Sequence, residues 1–197
     1  MKTELSNKTV VVVGNGSSLL NGGHGAWIDG HDIVVRFNLF QINGFSEDVG
    51  TKTSIWFNNR DAESTQIQSR LLRHTYQRIY VHTWNDTENA IASFQRQLQR
   101  LSRITPVIPV NKEVIPEMTA YLGKKYSMFS TGAIGTWIML KGFGAVHLIG
   151  FDWWQPFKQF HYCDTQKFEC QSDRGHQPLL EKAFFEKLLE EKRLEFH

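Results

Sequence analysis

The chain has 197 residues, 41% of them hydrophobic and 21% charged, which is the size and balance of one globular domain able to bury a core without staples. Its 22 basic and 20 acidic residues leave a formal net charge of +2, which gives no electrostatic footprint for nucleic acid. Two cysteines, Cys163 and Cys170, form no disulfide framework, although one bridge between them stays open, and the four-valine run near the start is too short for a signal-peptide core or a membrane span. The expectation is a cytoplasmic chain with at most peripheral membrane contact.

Val10–Val13 is an apolar β-branched run ending in Gly14-Asn15-Gly16, the pattern of a buried parallel strand entering a tight turn. Glycines let backbone N–H groups approach an anion, and Asn15, Ser17 and Ser18 add hydrogen-bonding side chains, so a phosphate or ribose fits here. A plain strand-to-helix turn with a serine cap fits equally well. The third glycine of a dinucleotide G-x-G-x-x-G falls on Leu19, and no acidic residue ends the next strand at Phe37-Asn38, which disfavours an NAD-dependent oxidoreductase.

Similar short runs follow at Asp32–Phe37, Ser54–Phe57, Arg78–His82, Thr105–Val110 and Ala145–Gly150. Helical periodicity marks Ala62–His74, Asp86–Leu101, Lys112–Leu122, Thr131–Gly142 and Pro178–Leu194. The alternation predicts an α/β fold, a single Rossmann-like domain over residues 1–197 with a mostly parallel sheet flanked by helices. Residues 155–175 match neither period and are expected to form a mobile lid.

Several residues carry chemistry. Ser130, Thr131 and Gly132 precede an apolar helix, where a serine N-cap and an anion site at the helix start are both natural. Trp153 and Trp154 follow the last predicted strand, placed either to stack on a base or sugar or to pack in the core. His176 stands just before a helix expected to begin near Pro178; its imidazole titrates near neutrality and suits a general base, the alternative being a surface cap. The Cys163, Cys170, His161 and His176 set matches no usual zinc-ligand spacing, so no metal is expected.

The stretch from Val10 to Thr53 resembles the long motif of the sialyltransferases of glycosyltransferase family 29. Matching in order are Val12–Gly16, Ile28-Asp29 with His31-Asp32, Val35-Arg36 with Asn38-Leu39, and Asp48 through Thr53. Ser130-Thr131-Gly132 through Phe151 looks like the short motif, His161-Tyr162 resembles the third, and His176 with Glu181 is similar to the very short H-x-x-x-x-E motif. The Gly150-Phe151-Asp152 strand end is also reminiscent of family 42. Where animal members carry a disulfide between the first two motifs this chain has Val10 and Phe143, so an apolar contact is expected instead.

The resemblance implies a GT-A-like variant of the fold and an inverting transfer from a CMP-activated sugar to a glycan or glycolipid. It implies His176 as base, with Glu181 in support and His161 and Tyr162 as donors to the departing phosphate. Asn15, Gly16, Ser17, Asn38, Ser130, Thr131, Gly132, Asp152 and Trp153 become candidate donor contacts. No D-x-D sequence occurs, and a departing monophosphate develops less charge than a diphosphate, so metal-independent chemistry without a cofactor is expected. Sialic acid and Kdo share the CMP ester and the anomeric carboxylate, so a Kdo transferase of lipopolysaccharide or capsule synthesis is the nearest alternative. A non-catalytic CMP-binding module is the alternative of another class.

Overall fold

A computed structural model of the chain describes residues 8–59, 75–82, 88–103, 105–125, 128–153, 161–163 and 177–197. Seven parallel strands form one sheet in these residues: β1 (Val10–Val13), β2 (Ile33–Phe37), β3 (Ile55–Asn58), β4 (Arg78–Val81), β5 (Val107–Pro109), β6 (Val146–Ile149) and β7 (Leu194–Phe196). Their order across the sheet is β5-β4-β3-β2-β1-β6-β7. Helices are α1 (Gly25–Asp29), α2 (Ser46–Val49), α3 (Glu88–Leu101), α4 (Val114–Leu122), α5 (Thr131–Phe143) and α6 (Pro178–Glu190).

The central strands β1, β2 and β3 are buried along their whole length and mostly apolar, because both faces of the sheet are covered there. Successive residues alternate between faces, so Val10 and Val12 join Val35, Phe37 and Phe57 in a core against α4, α5 and α6. Val11 and Val13 point the other way, onto Leu19, Ile28 and Val49. Farther along that second face Trp56, Ile79 and Val81 pack against Leu101 of α3. α5 is apolar on nearly every side, as a helix buried between a sheet and two other helices must be. Val10 lies inside the apolar cluster of this face, and the partly buried Phe143 packs against that cluster.

The structure differs from the sequence reading at the last helix and at three short elements, β7, α1 and α2. The last helix stops at Glu190, and Lys192 takes a left-handed φ of 55° before the chain enters β7, which pairs with β6. The expected helix ran on to Leu194, because a three-residue strand is too short to show its own period. The short α1 and α2 sit inside motif segments whose glycine and aspartate content hid them. The predicted Ala62–His74 helix lies outside the described residues, as does the expected lid apart from residues 161–163, which pack as a turn.

Gly14 shows why the first turn needs glycine. A Cβ there would stand 2.2 Å from the Gly150 carbonyl oxygen, a backbone atom that cannot rotate away. Gly142, near the end of α5, has nothing within 4 Å of its would-be Cβ. Gly14→Ala is therefore expected to lower unfolding free energy by about 1–3 kcal/mol, and Gly142→Ala to raise it by about 0.5–1 kcal/mol, both read from urea unfolding. Equal effects would contradict the close approach of the two turns.

Candidate functional site

Strand order turns back at β1, with β2 to β5 building outward on one side and β6 and β7 on the other. In open α/β sheets the crevice beyond the carboxyl ends of strands at such a switch point is where ligands bind. The sequence candidates Asn15, Asn38, Thr131 and Asp152 all follow strand ends or begin a helix beside this crevice.

The glycine turn itself is occupied by protein. Gly14 and Gly16 donate their N–H groups to Ile149 O and Gly150 O, each at 2.8 Å, and Ser18 donates its N–H to Asp152 Oδ2 at 2.9 Å. Ser17 Oγ donates to the same carboxylate oxygen at 3.2 Å. In this structure Gly16, Ser17 and Asp152 fasten the β1 turn to the β6 turn. Asn15 is what the turn presents. Its Nδ2 donates to Phe37 O at 3.3 Å, and its Oδ1 is buried with no partner among the described residues.

Asn38 follows β2 with φ at 45°, in the left-handed region that Asn tolerates better than most residues. Its backbone is held on both sides, N–H to Phe57 O at 2.8 Å and C=O from Trp56 Nε1 at 3.0 Å. Its Oδ1 accepts the Asn59 N–H at 3.1 Å, which leaves Nδ2 directed at Thr131 Oγ1, 3.4 Å away.

Thr131 opens α5, and its hydroxyl also meets His82 Nε2 at 3.0 Å. His82, at the end of β4, was missed in the sequence because one histidine after a strand has no distinguishing pattern. Burial holds its pKa down to about 4, so the ring is neutral at physiological pH.

Ser130 is the N-cap of α5, accepting the Ala133 N–H at 3.1 Å. Its own hydroxyl donates to Glu181 Oε1 at 2.5 Å and its N–H to Glu181 Oε2 at 2.8 Å. Of the two readings of Ser130, the structural one accounts for its side chain. Gly132 leaves room for Phe151, whose ring edge would lie 2.8 Å from a Cβ. Trp153 stacks on Phe196 at 5.4 Å and approaches Phe185 at 6.0 Å, which favours core packing over base stacking, although its Nε1 has no partner among the described residues.

Tyr162 is buried; its hydroxyl accepts the Gln41 N–H at 2.8 Å and donates to Gln41 O. In this structure the phenol holds Gln41 at the start of the 41–45 loop. Its own N–H donates to Asn15 O at 2.8 Å, so the half-buried His161 beside it stands next to the β1 turn. Cys163 is half-buried against the core of that face. His176, Cys170 and Trp154 lie outside the described residues. No group of three His, Cys, Asp or Glu side chains suited to a metal occurs among the described residues.

Burial raises the Glu181 pKa to about 7, against the two hydrogen bonds from Ser130 that favour its ionised form. The folded value exceeds the 4.5 of an ordinary carboxyl, so between those values the folded chain holds the proton more tightly than the unfolded one. This group's contribution to stability is fullest below the window and is lost as pH rises through it. Urea unfolding at pH 5 and pH 8 should show wild type losing more stability on going to pH 8 than Glu181→Gln does; parallel losses would contradict a raised carboxyl.

Comparison with known proteins agrees with this architecture. The family model described as glycosyltransferase family 29 (sialyltransferase) matches residues 2–193. Alpha-2,8-sialyltransferase 8E of Rattus norvegicus is 29% identical over 182 residues, covering 81% of this chain and 48% of the relative. Sialyltransferase-like protein 2 of Oryza sativa subsp. indica is 50% identical over 52 residues, 26% of this chain and 13% of that protein. The chain thus spans less than half the length of the curated relatives it matches. A crystal structure of a mammalian sialyltransferase superposes with a TM-score of 0.72 at 21% identity, covering 96% of this chain and 68% of its own, which is a likeness of fold. On the family match over nearly its whole length, the chain belongs to glycosyltransferase family 29, the sialyltransferase family.

Proposed function

We propose that the chain transfers an acidic 2-keto sugar, sialic acid in the first instance, from its CMP ester to a hydroxyl of a glycan or glycolipid, with inversion at the anomeric carbon. The observation that carries the reading is the convergence of Asn15, Asn38 and Thr131 at the carboxyl edge of the sheet and the start of α5. Asn supplies both a donor and an acceptor, which suits ribose hydroxyls, a cytosine edge or phosphate oxygens. The start of a 13-residue helix adds orphan N–H groups and a favourable dipole for an anion.

His176 takes the acceptor's hydroxyl proton while the acceptor oxygen bonds to the anomeric carbon and the bond from that carbon to the phosphate oxygen breaks. CMP departs with the bonding electron pair, toward Thr131 and His161. Glu181 supports this arrangement from five residues farther on, because its carboxyl is tied to Ser130 at the start of α5, which anchors the first turn of α6 beside the donor contacts. A monophosphate leaving group needs no divalent ion where such donors are preset.

Incubating the protein with CMP-Neu5Ac and with CMP-Kdo separately, with CMP release as readout, tests the donor. Release from CMP-Neu5Ac is expected; release from CMP-Kdo alone reassigns the sugar, and CMP binding without turnover of either, even with acceptor, points to a binding module. His176→Ala is expected to cut transfer about 100-fold or more while CMP still binds. Activity within a few fold of wild type removes His176 from the role of base.

A further inference from the structure

We propose that His82 is a positioning residue that carries its ring proton on Nε2 and, by donating it to Thr131 Oγ1, makes the threonine hydroxyl a donor aimed at an anionic oxygen of the bound nucleotide. The inference rests on the CMP-ester reading above and adds a residue that none of the four sequence motifs contains.

The lone pairs and hydrogens around the Thr131 hydroxyl oxygen decide which tautomer serves the site. A threonine hydroxyl has one hydrogen to give and two lone pairs to receive. Asn38 Nδ2 addresses one lone pair from 3.4 Å, and the amide cannot be reversed without loss, because its Oδ1 accepts the Asn59 N–H at 3.1 Å. His82 Nε2 lies 3.0 Å from the same oxygen. The ring is buried, 5% exposed, and neutral, so it carries one proton and its two tautomers have opposite consequences.

With the proton on Nδ1, Nε2 accepts the threonine's only hydrogen, and Thr131 offers a phosphate nothing but a lone pair. With the proton on Nε2, both lone pairs of Oγ1 are filled by Asn38 and His82, and the hydroxyl hydrogen is free for a third partner. Phosphate and carboxylate oxygens at neutral pH accept and do not donate, so only the second arrangement serves an anion at the start of α5. Asn38 and His82 immediately follow β2 and β4, and Thr131 opens α5, so three separate parts of the fold fix the direction of one O–H bond.

The ring tautomer can be read directly from long-range nitrogen–proton correlation spectra of histidine-labelled protein, with the His82 signal identified by its loss in His82→Gln. A neutral, Nε2-protonated ring is expected. In parallel, CMP affinity is measured by titration for wild type, His82→Leu, Thr131→Val, the double variant and His82→Gln. Each single apolar change is expected to weaken CMP about tenfold, and the double variant about as much as either alone. Gln, whose Nε2 amide can donate where the ring N–H stood, should recover most of the loss.

An Nδ1-protonated ring in a protein that binds CMP overturns the role of His82 and leaves the donor reading standing. Additive losses in the double variant, or a His82→Leu chain that melts earlier yet binds CMP as wild type does, overturn it too and make His82 merely structural. A wild-type chain that takes up no CMP overturns the donor reading, and this role falls with it. If His82→Leu fails to fold, the tautomer and the Thr131→Val and His82→Gln affinities still decide.

Discussion

A buried carboxyl on one helix holds the N-cap residue of another. Glu181 in α6 accepts both the N–H and the hydroxyl of Ser130, and Ser130 in turn caps α5 by accepting from Ala133. Placing a carboxyl in that apolar surround is costly, as its raised pKa records, and the two hydrogen bonds offset part of the cost. What the arrangement secures is position. The start of α5 touches both Asn38 and His82 through Thr131, so a slip of Ser130 would misalign that hydrogen-bonded set.

Most of the long motif does a different job from the one its length suggests. Asp29 accepts from the Thr51 N–H and hydroxyl and from the Lys52 N–H, Asp32 from the Thr9 N–H and hydroxyl, and Asp48 from the Gly23 N–H. Arg36, fully buried, donates to the carbonyls of Val49 and Lys52 and to the Thr53 hydroxyl. Each is a charged side chain satisfying loop backbone that has no secondary-structure partner. These clamps hold the chain on either side of β2, and Asn15 and Asn38 are the motif residues that reach the crevice side chain first.

This division explains what could be read from sequence. The four consecutive valines announced a strand covered on both faces, and every predicted strand within the described residues is present within a residue or two of its expected bounds. The long motif was legible because its clamps need particular residue types at fixed spacing. Gly16, Ser17 and Asp152 were less so: two glycines beside serines look the same whether the N–H groups await a phosphate or, as here, meet carbonyls of the neighbouring turn. The hydroxyl of Tyr162 bonds Gln41, a contact across 121 positions that no local pattern encodes. His82 gave no signal at all, because its meaning comes from Thr131, 49 positions away.

The central claim is that cytidine monophosphate binds at the carboxyl edge of β1 and β2, with its phosphate at the start of α5. A crystal structure of the chain with CMP bound tests this most directly. The expected result is the phosphate within hydrogen-bonding distance of the Thr131 hydroxyl and the nucleoside against Asn15 and Asn38. CMP ordered elsewhere on the molecule, with the oxygen of Thr131 facing water or protein alone, would contradict the account.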